Sequence, residues 1–127
     1  MLASMPLADM RYFDSIGSTN DEALAWATDG ARDFSLVIAD EQTTGRGRAG
    51  RKWVTPQGTA LAFSLILRPA ASEADSPTLF TGLGALALMD ALKKRELKPQ
   101  VKWPNDVLLN GKKVAGILAE SVWTGDA

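Results

Sequence analysis

The dipeptide Asn110-Gly111 lies between two apolar runs, Val107–Leu109 and Val114–Val122, and constrains the fold more than any other feature. Both central residues of a two-residue hairpin turn need positive φ, and asparagine followed by glycine accepts it most readily. The flanking runs therefore read as antiparallel strands, and Val101–Trp103 reads as another. Earlier in the chain, Met10–Ile16 reads as a short strand or extended lead-in, and Ser35–Asp40 (SLVIAD) as a buried strand. Thr59–Arg68 (TALAFSLILR) alternates, with Leu61, Phe63, Leu65 and Leu67 on one face and Ala60, Ala62 and Ser64 on the other. The large face is expected to pack on helices, and the small face to leave room where a ligand could lie.

Two helices fit the remaining periodicity. Thr19 and Glu22 have capping-box spacing, with Ser18 as an alternative cap, and Leu24, Trp26 and Ala27 follow. The first helix is expected over 19–29, ending near Gly30. Ser76-Pro77 marks a second start, with proline at the first helical position. Leu79, Leu83 and Leu86 then recur at helical spacing, Lys93, Lys94 and Arg95 favour the C-terminal end, and Pro99 stops it. The resulting fold class is α/β of the α+β type, with a mixed, largely antiparallel sheet and helices packed on one face. It is not a run of βαβ units.

At 127 residues the chain fits one domain with a modest core, and 46% apolar content argues against disorder. No apolar run approaches the roughly 18 residues of a membrane-spanning helix. The segment MLASMPLADMRYF lacks a basic region followed by a long apolar one, so no secretory signal is read and a cytoplasmic location is expected. There is no cysteine and no histidine, which removes disulfides, thiolate or imidazole metal sites and serine–histidine triads. Chemistry must run on carboxylates, lysine, arginine and backbone amides, with a hard metal ion as an option. Net charge is −1, yet Arg46, Arg48, Arg51 and Lys52 cluster, as do Lys102, Lys112 and Lys113. Local positive charge on a near-neutral chain suits a small anionic ligand rather than a long polyanion.

The most specific local feature is Gly45-Arg46-Gly47-Arg48-Ala49-Gly50-Arg51-Lys52-Trp53, within the polar stretch Glu41–Lys52 that reads as a loop. Glycines can adopt positive φ and leave N–H groups open to phosphate, and arginines bond phosphate or carboxylate oxygens in pairs. Trp53 supplies a flat face for stacking. The same segment also fits a solvated arginine-rich loop or a short RNA-binding tract. Lys102-Trp103-Pro104-Asn105-Asp106 sits at a turn between strands; it is either an ordinary turn or a place where Asp106 accepts a proton or contacts a metal, with Lys102 beside an anion. Lys112 and Lys113 face opposite ways along a strand, so at most one points at a given site. Ser18-Thr19-Asn20 is explained by a helix cap, although the same hydroxyls and amides could hold a polar ring. The clustered cations lack an obvious internal partner, so 45–51 is expected to be mobile without ligand.

In this order, Ser18-Thr19-Asn20, Glu41-Gln42 leading into GRGRAGRKW, KWPND at Lys102–Asp106, and KVAGIL at Lys113–Leu118 resemble the biotin–protein ligase family. The resemblance implies a fold like that of class II aminoacyl-tRNA synthetases. It implies activation of biotin by ATP to biotinyl-5'-AMP, with Mg²⁺ on the phosphates, and transfer to a lysine of a biotin carboxyl carrier protein. By position, Ser18, Thr19, Asn20 and Gln42 match residues around biotin's polar ring. Arg46, Gly47 and Arg48 match the loop closing over biotin and the adenylate phosphate. Gly45, Arg51, Lys102 and Asn105 fall to the adenylate side, and Trp53 matches an aromatic near the adenine. Lys113 matches the lysine at the biotin carboxylate and α-phosphate, Gly116 and Leu118 line the biotin channel, and Asp106 matches an acid that helps deprotonate the acceptor lysine. Arg48, Lys113 and Asp106 are thus the catalytic candidates, and no protein-held metal is expected.

Two departures are visible. Ala49 stands where some members carry arginine. The family's domain also normally continues past the equivalent of Ala127, so residues 1–127 are expected to be one catalytic domain missing its C-terminal part and lacking an N-terminal DNA-binding domain. No nucleic-acid or membrane partner is expected, while a homodimer is open. The other readings are a lipoate or octanoate ligase or transferase relative, and a non-catalytic nucleic-acid-binding module using the Gly-Arg loop.

Overall fold

The computed structural model describes residues 6–70 and 77–123. In chain order the elements are β1 (Asp9–Ile16), α1 (Thr19–Thr28), β2 (Ser35–Arg46), β3 (Lys52–Thr55), β4 (Ala62–Ile66), α2 (Pro77–Lys93), β5 (Gln100–Lys102), β6 (Asp106–Leu109) and β7 (Lys112–Gly116), with a short 3-10 turn at Arg48–Gly50. They fall into two compact units: Met1–Ser72 with Glu120–Ala127, and Glu73–Ala119.

In the first unit β2 is the central strand, parallel to β1 and antiparallel to β4 and β3. Pairing is thus mixed and mostly antiparallel, as expected. The connection from β1 to β2 carries α1, whose Ala23 and Trp26 join Ala31, Val37 and Ile66 in the buried core. Beside this core the Arg11 guanidinium lies 4.0 Å from the centre of the Trp26 ring and pairs with Glu22.

The β4 alternation is present, but its two faces exchange roles. Ala62, Ser64 and Ile66 are buried, while Leu61, Phe63 and Leu65 are exposed. The side chains of α1 need shallow positions beneath them, and Val37, Ala39, Ala62 and Ser64 provide those. The small face is therefore occupied by the helix, and the large residues turn outward.

The expected loop at Glu41–Lys52 is also corrected. Strand β2 continues to Arg46, pairing Gln42 with Thr55, Gly45 with Trp53 and Arg46 with Lys52, with a register shift between Gln42 and Gly45. Side-chain polarity suggested a loop, but ladder hydrogen bonds are made by the backbone and do not need apolar side chains.

In the second unit β5, β6 and β7 form an antiparallel sheet. The hairpin is as expected, with Asn110 at φ 52 and Gly111 at φ 75. Strand β7 ends at Gly116, earlier than the run to Val122 suggested, and the Ile117 N–H then donates to the Asn105 carbonyl at 2.9 Å. Helix α2 opens at Pro77; the expected start at Ser76 lies outside the described residues. Its close side is made of small residues: Ala85 is buried, and a Cβ on Gly84 would sit 3.3 Å from Ile117. Leu79, Leu83 and Leu86, which carry the helical spacing, are exposed instead. Among the described residues no helix is long and apolar enough to cross a membrane.

Candidate active site

The first turn of α1 builds a buried polar cluster. Ser18 is the N-cap, with extended φ −155° and ψ 131°, and its hydroxyl accepts the Asp21 N–H at 3.2 Å. The expected Thr19–Glu22 capping box does not form. Thr19 is the first helical residue, and Glu22 is turned to Arg11. This frees the Thr19 N–H and hydroxyl, which both donate to Gln42 Oε1, at 2.8 and 3.0 Å. The Ser64 hydroxyl on β4 donates to Thr19 Oγ1 at 2.8 Å and also lies against Asn20 Oδ1. Ser18, Thr19, Gln42 and Ser64 are all buried. A buried polar group must be hydrogen-bonded to be tolerated; Thr19, Gln42 and Ser64 satisfy one another across a helix and two strands, and Ser18 is satisfied by the Asp21 N–H of its own helix turn.

Arg46, at the end of β2, is drawn to the same helix turn. One guanidinium nitrogen lies 2.7 Å from Asp21 Oδ1 and the other 2.7 Å from Glu120 Oε1. Asn20 Nδ2 donates to the same Glu120 oxygen at 3.0 Å. The hydrogen bond from Glu120 first, and that from Asp21 second, push the Arg46 guanidinium above its already high ordinary pKa. For Arg46, then, the expectation of no internal partner is wrong: two carboxylates hold it, one of them 74 positions away in sequence.

The remaining loop residues occupy distinct positions. Gly45 faces Trp53 so closely that a Cβ would fall 2.1 Å from the Trp53 carbonyl oxygen and 2.8 Å from Gln42 Nε2. Its role here is close approach rather than positive φ. Gly47 is extended at φ −105°, and its N–H donates to the Arg51 carbonyl at 2.7 Å, closing the loop. Left-handed backbone falls on Gly50 at φ 74 and, unexpectedly, on Ala49 at φ 58. Arg48 and Arg51 are exposed on either side of that turn, and Trp53 is 41% exposed on β3.

The second unit carries the other group. Lys102 ends β5 directly opposite Asp106, which begins β6, and the corner between them holds a cis Trp103–Pro104 bond and Asn105. Lys113 Nζ lies 3.0 Å from Asp106 Oδ1, an oxygen that is itself buried. Of the two adjacent lysines, then, Lys113 reaches Asp106, whereas Lys112 stands opposite Leu109. Gly116 is the register partner of Asp106, and a Cβ there would lie 3.1 Å from Lys113 Cε and Nζ. Glycine leaves the space in which the lysine folds back. Leu118 follows β7 and is half-buried.

Three residues in contact with these groups were not singled out by sequence: Ser64, Asp21 and Glu120. Ser64 had a signal, as the one hydroxyl on the small face of its strand. Asp21 and Glu120 carried none, because an acid in a helix first turn or beside a strand is ordinarily solvated.

Residues 12–127 match the model of the biotin/lipoate A/B protein ligase family. The chain is 42% identical over 110 residues to the bifunctional ligase/repressor BirA of Bacillus subtilis, covering 86% of this chain and 34% of that protein. It is 49% identical over 111 residues to the biotin–[acetyl-CoA-carboxylase] ligase of Paracoccus denitrificans, covering 85% and 45%. The biotin protein ligase of Aquifex aeolicus in complex with biotin and ATP superposes with a TM-score of 0.76 at 34% identity, over 91% of this chain and 47% of that one. The chain thus spans between a third and a half of the length of these relatives. With one family model spanning nearly its whole length, the chain belongs to the biotin/lipoate A/B protein ligase family.

Proposed function

We propose that residues 1–127 act as one biotin–protein ligase catalytic domain that forms biotinyl-5'-AMP and passes biotin to a lysine of a carrier protein. The observation that carries this reading is the buried cluster of Ser18, Thr19, Gln42 and Ser64 with Arg46 tied to its rim. Paired donors and acceptors in a dry setting suit an uncharged urea-like ring, and the guanidinium beside them, once it parts from Asp21 and Glu120, suits the anion at the other end of such a ligand.

In the first step a biotin carboxylate oxygen attacks the α-phosphorus of ATP and pyrophosphate leaves. Two anions must meet, so cations set the rate. Arg46, Arg48 and Lys113 are the residues we assign to that charge, with Gly45, Gly47, Arg51, Lys102 and Asn105 assigned to the phosphates and Trp53 to the adenine. Ser18, Thr19, Asn20 and Gln42 hold the ring, and Gly116 and Leu118 line the chain. In the second step the neutral acceptor amine attacks the acyl carbon, AMP leaves, and the amine's proton passes to Asp106, which must first part from Lys113. Mg²⁺ would enter on the nucleotide phosphates and offset their charge. The carrier we assign is a biotin carboxyl carrier protein.

Calorimetry on the full protein tests this directly. Biotin is expected to give saturable heat that ATP with Mg²⁺ increases, and lipoate is expected not to compete. No heat with biotin, or equal displacement by lipoate, would overturn the reading.

A narrower expectation concerns Gly116→Ala. The added methyl displaces only the flexible end of Lys113, so thermal stability should stay within about 1 kcal/mol of the parent. Biotin-dependent ATP–pyrophosphate exchange should nevertheless fall roughly tenfold, because a misplacement near 1 Å is costly to a charge that must be preorganised. An unchanged exchange rate would detach Lys113 from the first step.

A further inference from the structure

We infer that Asp21 and Glu120 are specificity-determining residues: by engaging the Arg46 guanidinium from both sides they close it to small free anions and admit an anion only as part of a ligand that is also held elsewhere on the protein. The inference rests on the assignment of Arg46 to the anionic end of the ligand. Arg46 Nη1 lies 2.7 Å from Asp21 Oδ1, and Nη2 lies 2.7 Å from Glu120 Oε1. One cation between two anions leaves the group with an excess of one negative charge. A bare guanidinium would collect anions from solution, whereas this group repels them until a carboxylate turns away.

The clamp is built to open. None of its three side chains is buried: exposure is 36% for Arg46, 55% for Asp21 and 30% for Glu120. An arriving anion therefore meets the guanidinium from solvent, and a released carboxylate returns to water at little desolvation cost. Each carboxylate also keeps a favourable place once the guanidinium leaves. Glu120 Oε1 still accepts from Asn20 Nδ2 at 3.0 Å, and Asp21 stays in the first turn of α1, where the helix dipole favours an acid. Ion pairs this exposed shift an equilibrium by about fivefold at most. That is enough to handicap a dilute free anion, which must compete with carboxylates already in place. It yields to an anion that a second contact of the same ligand holds at high local concentration.

Biotin and its neutral carboxamide, titrated into the full protein, read the clamp. Glu120→Gln keeps the length of the side chain and an oxygen for Asn20 while removing the charge. It is expected to tighten biotin about twofold to fivefold, the scale of one partly exposed ion pair, and to leave the carboxamide where it was. Asp21→Asn should do the same, and the two substitutions together should gain more than either. A change shared by both ligands, which a merely structural role would give, would overturn the inference, as would biotin affinity that falls or stays put in both variants.

A measurement without biotin separates this from the functional reading. The Arg46 Nε–H resonance, identified by its loss in Arg46→Lys, is followed while inorganic phosphate is added. In the double variant it is expected to move at phosphate concentrations that leave the parent unmoved. Should the parent bind neither biotin nor the carboxamide, the functional reading fails while the phosphate titration still decides the clamp. Parent and double variant responding alike would refute it.

Discussion

Gly45→Ala is expected to cost about 2–3 kcal/mol of stability, at the upper end of overpacking by one methyl, and to abolish measurable biotin binding. The methyl would enter 2.1 Å from the Trp53 carbonyl oxygen, far inside contact distance, and 2.8 Å from the Gln42 amide nitrogen. Neither neighbour can yield cheaply. The carbonyl belongs to a backbone paired with Gly45 itself, and the amide of Gln42 is anchored at its other end by two bonds from Thr19. The strands must part, so the Arg46-bearing end of β2 loses its pairing with Lys52 and the buried polar cluster loses its acceptor. Thermal melts and biotin calorimetry check both losses. Gly47→Ala is the control for stability: its Cβ would meet Arg51 Cβ at an ordinary 3.5 Å, and its melting point should stay within about a degree of the parent. A Gly45→Ala protein that melted and bound like the parent would show that the close approach does not exist in solution.

Arg48→Ala and Lys113→Ala should each slow biotin-dependent ATP–pyrophosphate exchange by roughly 10²–10³, the usual consequence of deleting one preorganised donor from a charged transition state. Their stabilities separate the two sites. Arg48 is exposed at the first position of the 3-10 turn, and its removal should leave the melt within about 0.5 kcal/mol of the parent. Lys113→Ala strips the ammonium from the buried Asp106 Oδ1, so a modest loss near 1 kcal/mol is expected with it. Asp106→Asn should behave differently again, leaving exchange nearly intact and slowing transfer to the carrier, because it removes a proton acceptor needed only in the second step. Exchange at the parental rate in Arg48→Ala would remove that residue from the chemistry.

The legible parts of this molecule are those decided by backbone torsion or local spacing. Asn110-Gly111 needed no tertiary context, since positive φ at both positions is a local demand and the hairpin follows. The first helix was placed within a residue at its start and its end, although the cap is Ser18 rather than Thr19. Inward and outward faces were harder. Alternation on β4 and the leucine spacing on α2 were both real, yet in each the small residues face the neighbour and the large ones face out. Periodicity gives two faces but not the distance at which the next element packs, and close packing favours Gly84, Ala85, Ala62 and Ser64. The glycines of the loop suggest conformational freedom, but Gly45 is required because the Trp53 carbonyl, eight positions on in sequence, closes on it in space. The partners of Arg46 were illegible for a related reason: nothing local to Glu120 distinguishes it from a solvated acid, and its meeting with Arg46 is a property of the folded chain.

That long return has a consequence for the order in which the protein matures. As the chain leaves the ribosome, β1, α1, β2 and β4 are all synthesised before the residue that supplies the second carboxylate to Arg46. Until residue 120 is made, Asp21 is the one of the two carboxylates that the chain already contains. The finished grip on Arg46 therefore arrives only after the sheet that carries it has been synthesised.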